Sequence, residues 1–179
     1  MKVLKIVLTA VCIAAMIPSA QAQKVGVRAG LNIATVTGDA YGDTKPLTGF
    51  YLGVFKEITI VPELFFLQPE LQYSMQGFKS EDTNYSISYI NIPVLAKVYI
   101  MKTISLEAGP QIGFKISDNF PGDTGDDIET FDTALVGGLG FNFPMGLSLN
   151  ARYALGLSEI AKDSDAKNQV IQLGAAFKF

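Results

Sequence analysis

The sequence contains no histidine and a single cysteine. Without histidine, neither a Ser-His-Asp triad nor a histidine-ligated metal site can be built. The cysteine, Cys12, lies in an N-terminal segment that we expect to be removed, so the mature chain has no means of forming a disulfide or a thiolate metal site. Carboxylates alone can carry acid–base chemistry, but nothing in the sequence supplies a substrate cleft for the two candidates, Glu70 and Glu107. The sequence therefore predicts a protein that is not an enzyme, with no catalytic residue, metal or cofactor.

The N-terminus has the parts of a secretory signal peptide. Lys2 and Lys5 introduce a short apolar run, and Ala20-Gln21-Ala22 matches an Ala-x-Ala cleavage site. We predict a signal peptide over residues 1–22 and one mature domain over residues 23–179. A retained anchor is the alternative, but the apolar run is too short for a confident membrane-spanning helix.

The charge balance of the mature chain argues against a nucleic-acid partner. The 14 basic residues fall to 12 because Lys2 and Lys5 lie in the signal segment, against 17 acidic residues, so the net charge becomes −5. Binding phosphates requires clustered Lys and Arg. No second apolar run approaches the roughly 20 residues of a membrane helix, and helical periodicity is hard to find. Strands remain.

Eight stretches of the mature chain alternate in hydropathy with a period of two, which is typical of strands with one apolar face. They span about residues 24–34, 47–58, 64–77, 85–100, 104–116, 131–143, 147–157 and 168–179. The connections alternate long and short, the long ones being residues 35–46, 78–84, 117–130 and 158–167. An even strand count with this alternation is typical of bacterial transmembrane barrels, whose short turns and termini face the periplasm. We therefore predict an all-β fold, an eight-stranded antiparallel up-and-down transmembrane β-barrel.

Three prolines lie within the predicted strands, at Pro69, Pro93 and Pro110. Each lacks the backbone donor that a ladder needs, so we expect bulges or local irregularity at these positions.

Alternation alone does not say which face of the barrel points inward, because a soluble barrel puts its apolar face inside to hold a ligand. Most strand glycines fall on the polar face, where small residues suit the crowded interior of a narrow barrel. Charged residues are nearly absent from the apolar face, as lipid exposure demands. Aromatic residues near the strand ends fit interfacial girdles, although strand propensity alone also favours them: Tyr99, Phe143 and Phe179 at one end, and Phe50, Tyr73 and Phe114 at the other. We predict a polar lumen and a lipid-facing apolar surface.

The inward face carries charges of both signs. The lumen polar cluster that we predict comprises Arg28, Glu70, Lys97, Glu107, Lys115 and Arg152, and Lys178 and Asp132 also point inward. If residues 101–103 form a simple hairpin, Lys97 and Glu107 lie directly opposite each other. The cluster is either a polar pathway for solute or protons or a structural network of ion pairs. Because eight strands leave an interior just wide enough for side chains, we favour the network.

The third long connection is the most acidic. It contains Asp118, Asp123, Asp126, Asp127 and Glu129. Oxygen-rich flexible loops can hold Ca²⁺, but the EF-hand spacing is missing, so a solvated acidic loop is the preferred interpretation.

Several motifs, taken in their order along the chain, give the mature sequence a family resemblance. They are Gly-x-Arg-x-Gly-x-Asn over residues 26–32, Pro-Glu-Leu-Gln-Tyr-Ser-x-x-Gly over 69–77, Tyr-Ile-Asn-Ile-Pro-Val-Leu-Ala-Lys over 89–97, Arg-Tyr-Ala-Leu-Gly-Leu over 152–157, and the closing strand. The chain resembles the outer-membrane β-barrel domain family abundant in Bacteroidetes, often labelled porin family. The resemblance implies location in the bacterial outer membrane, with no shared enzymatic activity or cofactor. It further implies that the barrel-assembly machinery recognises the end of the chain, through an assembly signal of Gln172, Gly174, Phe177 and Phe179.

These observations support one leading hypothesis and two alternatives. The leading hypothesis is a small, non-enzymatic, monomeric outer-membrane barrel in contact with lipid and lipopolysaccharide, whose four loops face outward for structure or interaction. The first alternative is a narrow porin-like channel for small solutes or ions, and the second is a soluble secreted or periplasmic ligand-binding barrel. No residue pattern identifies a ligand or a loop partner.

Overall fold

The computed structural model describes residues 24–37, 45–80, 83–119, 131–158 and 167–179. The predicted signal peptide lies outside these residues. Eight strands form the structure: β1 (Lys24–Thr37), β2 (Lys45–Val61), β3 (Phe65–Ser80), β4 (Thr83–Met101), β5 (Ile104–Asp118), β6 (Phe131–Asn142), β7 (Leu147–Gly156) and β8 (Lys167–Lys178). No helix in the described part of the chain is long and apolar enough to cross a membrane.

The eight strands form one closed sheet. Each strand pairs antiparallel with the next in sequence, and β8 pairs with β1 from Gly26–Lys178 to Thr37–Lys167. The end of the chain is tied to this seam, since the backbone N–H of Phe179 donates to the carbonyl of Val25 at 2.9 Å. Closure leaves no open strand edge, which a bilayer does not tolerate. The predicted eight-stranded up-and-down barrel is confirmed.

Three short connections lie at one end of the barrel, which we call the turn end. Residues 62–64 and 102–103 form turns, and Pro144–Gly146 forms a single 3-10 turn. The described chain also begins and ends there, at Lys24 and Phe179. The opposite end, the loop end, has the connections that the sequence predicts to be long; residues 38–44, 81–82, 120–130 and 159–166 lie outside the described residues.

One predicted long loop is wrong. Residues 78–84 were expected to form a loop, but β3 and β4 continue their ladder through the pairs Lys79–Asn84 and Ser80–Thr83. The rings of Phe78 and Tyr85 stack at this end of the hairpin, with centroids 5.3 Å apart. Polar residues beyond the apolar part of a strand do not end backbone pairing, because the ladder needs only main-chain donors and acceptors.

The prolines interrupt pairing without causing bulges. Pro93, for example, lies between the pairs Pro69–Val94 and Gln72–Asn91 of β3 and β4, which share one register. The register shifts between described strands lie elsewhere, in β2–β3 and in β4–β5 next to Ser88 and Tyr99. A missing N–H therefore removes ladder bonds to one neighbouring strand while the other pairs hold the alignment. Local irregularity was predicted correctly; bulges at the prolines were not.

The two faces of the sheet differ as predicted. Large apolar side chains point outward on every strand, and Leu52, Leu139 and Leu173 are 59%, 54% and 45% exposed. The inner face buries arginine, lysine, glutamate, glutamine and asparagine side chains. The surface of this barrel is thus apolar and its core is polar, the reverse of a soluble protein.

Candidate functional site: the charged lumen

The lumen charges centre on Glu70 of β3. Arg28 of β1 donates through Nη1 to both Glu70 oxygens at 2.8 and 3.0 Å. Arg152 of β7 donates through Nη2 and Nη1 to the same two oxygens at 2.8 and 3.0 Å. Gln68 donates to Oε1 at 2.6 Å, and Gln72 donates to Oε2. Four side chains therefore hold one carboxylate, all of them buried.

A second carboxylate, Glu107 of β5, extends the network. Arg152 donates through Nε to Glu107 Oε2 at 2.7 Å, and Lys97 Nζ lies 3.4 Å from Glu107 Oε1. Lys97 and Glu107 are direct cross-strand partners, as the sequence predicted for a simple hairpin. Arg152 thus connects the two carboxylates.

A third carboxylate, Glu57 of β2, was missed by the sequence analysis. It accepts from Lys97 at 2.9 Å and from Lys178 at 2.7 Å, and the Tyr99 hydroxyl donates to it at 3.3 Å. Glu57 is 2% exposed. The signal was present, since the inward positions of β2 recur with period two through Phe55, and Glu57 is the next one.

Five of the six residues of the predicted cluster come together in the lumen; Lys115 does not. Its Nζ lies 3.0 Å from Asp118 at the loop end, where both side chains are partly exposed. Asp132 lies elsewhere as well, accepting from Ser158 Oγ at 2.7 Å and from Asn168 at 3.4 Å. Inward orientation alone therefore does not decide which charged residues join the cluster. The position of each residue along the barrel axis decides it as well.

The acidic connection lies largely outside the described residues, which include only its first residues up to 119. Within the described ranges, no group of three or more His, Cys, Asp or Glu side chains is placed to hold a metal ion.

Glycines on the inner face make room for the charged side chains. Gly138 is the cross-strand partner of Arg152, and a methyl group at Gly138 would meet the Arg152 Cγ atom. The Arg28 guanidinium lies 5.5 Å from the ring centroid of Tyr51, a cation–π distance. The small residues on the polar face therefore serve packing, as the sequence analysis expected.

A buried apolar cluster lies within the lumen, mostly towards the loop end from the charged residues. Its side chains are almost fully buried within the lumen: Ala34, Leu95, Ala134, Val136, Ala154 and Val170. Along β7, Ala154 is the next inward residue after Arg152, and along β8, Val170 is the next after Gln172. Asn32 lies between Arg28 and Ala34 on the same inward face of β1, and Ser74 and Asn91 are buried as well, so apolar and polar side chains together fill the lumen.

The residues of the predicted assembly signal lie on both faces of β8. Gln172 points inward and donates to Asn32 Oδ1 at 3.1 Å. Gly174 is the cross-strand partner of Gly30 at the seam. Phe177 and Phe179 point outward, with ring centroids 6.2 Å apart.

A closed sheet with an apolar outer surface and a polar, charge-paired lumen defines a transmembrane β-barrel. The chain belongs to the outer membrane protein beta-barrel domain family, whose model matches residues 20–162. It is therefore an integral protein of the bacterial outer membrane. This location excludes the soluble ligand-binding barrel considered above.

Solved outer-membrane barrels share the fold at low sequence identity. Ail, the attachment invasion locus protein of Yersinia pestis, is 18% identical with a TM-score of 0.56, and the match covers 89% of this chain and 100% of that chain. Neisserial surface protein A is 13% identical with a TM-score of 0.64 and the same coverage of both chains. OprG from Pseudomonas aeruginosa is 13% identical with a TM-score of 0.51, covering 89% of this chain and 97% of that chain. Among curated proteins, none matches the sequence significantly.

Proposed function

We propose that this protein is a non-enzymatic outer-membrane barrel with a closed lumen, which acts through its scaffold and its outward-facing connections. The observation that supports the proposal is the filling of the lumen. Arg28, Glu70 and Arg152 meet from three different strands in direct hydrogen bonds, and buried side chains, both apolar and polar, continue the filling towards the loop end. A pathway for solute requires water between such groups, whereas these charges contact one another.

The paired charges fit a structural role. Buried ions are tolerated only when they are paired and hydrogen-bonded, and each of the three carboxylates contacts at least two cations. The network joins strands that are not neighbours in the sheet, such as β1, β3 and β7. It therefore stabilises the cross-section of the barrel.

The experiment is single-channel recording of the refolded mature protein in a planar bilayer, with insertion verified separately by protease protection. We expect no discrete conductance steps in the native protein. Lys97→Ala and Glu107→Ala are expected to be silent too, because the contacts of Glu70 with Arg28 and Arg152 remain in both. A porin inserted by the same route serves as the positive control. Reproducible steps in the native protein, or steps that appear in either variant, would establish the alternative, a narrow channel gated by the charged cluster.

The partners follow from the same proposal. The apolar outer surface is in contact with membrane lipid and lipopolysaccharide. Closure leaves no strand edge for another chain to pair with, which supports a monomer. Light scattering of the detergent-solubilised protein tests this, and a protein mass of two chains would count against it.

A further inference from the structure

A vestibule opens into the lumen at the turn end. It has a volume of about 820 Å³, which lies within the roughly 300–1,000 Å³ of small-molecule sites. Glu57, Lys97, Tyr99 and Lys178 line its inner part. Phe55 and Phe66 contribute aromatic lining from the inner face, whereas Phe143, Leu147 and Phe179 are exposed and contribute only at the edge. Further charged residues of the lining are Lys24, Lys102 and Glu63. The closed-lumen function proposed above does not use this space.

The ion pairs of the lumen form one continuous series, and the last residue of this series at the vestibule is a cation. In order, they connect Arg28, Glu70, Arg152, Glu107, Lys97, Glu57 and Lys178. This chain of pairs alternates in sign and has a cation at both ends, so its cations outnumber its carboxylates by one. The Arg28 side chain is 1% exposed, whereas that of Lys178 is 18% exposed. Lys178 is therefore the accessible end of the excess positive charge.

The other charges that face the vestibule do not cancel this excess. Lys24 and Lys102 add two cations and Glu63 adds one carboxylate. Lys24 is the cross-strand partner of Glu57, on the same inner face. The lining therefore has more cations than carboxylates, since Lys24, Lys97, Lys102 and Lys178 face only Glu57 and Glu63.

One aromatic ring, that of Tyr99, lies beside the accessible ammonium group. Lys178 Nζ lies 5.8 Å from the centroid of the Tyr99 ring and 3.3 Å from the Tyr99 hydroxyl. Phe66 packs edge-on against Tyr99, with centroids 5.3 Å apart. An ammonium beside an aromatic ring offers one contact for an anionic group and another for an apolar body. Small-molecule sites typically combine a mostly apolar lining with a few placed polar groups.

We propose that the vestibule binds a small amphipathic anion, a carboxylate or phosphate monoester carried on an aromatic body. The anionic group lies at Lys178, and the aromatic body packs against Phe66 and Tyr99. Because the buried ion pairs of Glu70 and Glu107 fill the lumen beyond, the ligand enters and leaves from the turn end only.

The test uses the refolded mature protein in lipid nanodiscs, with 4-fluorobenzoate as the probe observed by fluorine NMR. The neutral 4-fluorobenzyl alcohol matches it in size, and empty nanodiscs measure partition into lipid. We expect saturable broadening of the benzoate signal by the protein and roughly tenfold weaker binding in Lys178→Gln, since a charge-assisted hydrogen bond is lost. Lys45→Gln, an exposed change at the loop end, is the matched control and leaves binding unchanged.

Lys178→Gln removes one of the two ion-pair partners of Glu57. If that loss prevents folding, a second variant provides the test. Lys24→Gln combined with Lys102→Gln removes two exposed charges that belong to no ion pair among the described residues. We expect binding several-fold weaker than in the native protein. Binding no stronger than to empty nanodiscs, equal affinity for the alcohol, or unchanged binding in the folded variants would each overturn the proposal.

Discussion

At the scale of single residues, the lumen depends most on Glu70. Its two oxygens accept from Arg28 and Arg152, which have no other carboxylate in common, and the Glu70 side chain is fully buried. Without the carboxylate charge, two guanidinium groups face each other in a space closed to solvent. Removing one partner of a buried ion pair is strongly destabilising, because the remaining charge is left uncompensated.

We predict that Glu70→Gln lowers the free energy of unfolding by roughly 3–5 kcal/mol, although the side chain keeps its size. Urea unfolding in lipid vesicles, followed by circular dichroism because the chain has no tryptophan, measures the change. The matched control is Lys115→Gln at the partly exposed loop end, where an ion pair contributes about 0–1 kcal/mol. Equal effects of the two substitutions would contradict a special role for the central cluster.

At the scale of elements, the seam between β1 and β8 depends on two glycines that face each other, Gly30 and Gly174. Tyr51 of β2 lies over both of them. A methyl group at Gly174 would meet the Tyr51 hydroxyl, the Ala29 carbonyl and the Cα of Gly30. The aromatic ring therefore occupies the space that two missing side chains leave at the position where the barrel closes.

Gly174→Ala is expected to destabilise the closed barrel by about 1–3 kcal/mol, the usual cost of overpacking. The control is Gly137→Ala, which points outward and whose added methyl group meets nothing within 4 Å. The fraction of protein that migrates as a folded barrel in unheated gel samples after refolding measures closure. If Gly137→Ala reduced that fraction as much as Gly174→Ala, space at the seam would not be the cause.

At the scale of the whole molecule, the end of β8 has two separable roles. Gln172 and Gly174 lie inside the barrel and help to close it, whereas Phe177 and Phe179 are 46% and 69% exposed on the outer surface. Outward rings contribute little to packing within the chain. If the assembly machinery recognises the chain end, as the family resemblance implies, the two phenylalanines are the residues free to be recognised.

Replacing Phe177 and Phe179 together by alanine should therefore reduce the amount of barrel assembled in the outer membrane of cells. Refolding of the purified variant into detergent should remain close to that of the native protein. Gly174→Ala, in contrast, should impair both processes. Loss of refolding in the phenylalanine variant would show that these rings stabilise the barrel itself, and normal assembly in cells would show that they are not part of a signal.

The features that depend on local geometry can be predicted from the amino-acid sequence alone. Side chains alternate across a strand whatever the surroundings, so the number of strands, the polar lumen and the inward orientation of Arg28 and Arg152 followed from hydropathy. The Lys97–Glu107 pair was also predicted, from a simple hairpin, although the structure reaches it through a register shift between Tyr99 and Met101. The extent of the β3–β4 hairpin did not follow, since hydropathy marks where the membrane-facing part of a strand ends and not where its ladder ends.

Which charges meet depends on how the sheet closes. Glu70 contacts Arg28 and Arg152, residues 42 and 82 positions away, because closure of the sheet brings strands from different parts of its circumference to one axis. Closure likewise joined Glu57 to Lys97 and Lys178 and left Lys115 at the loop end. The height of each inward residue along the axis depends on the stagger of the strands in the closed barrel, and no local pattern in the sequence encodes that stagger.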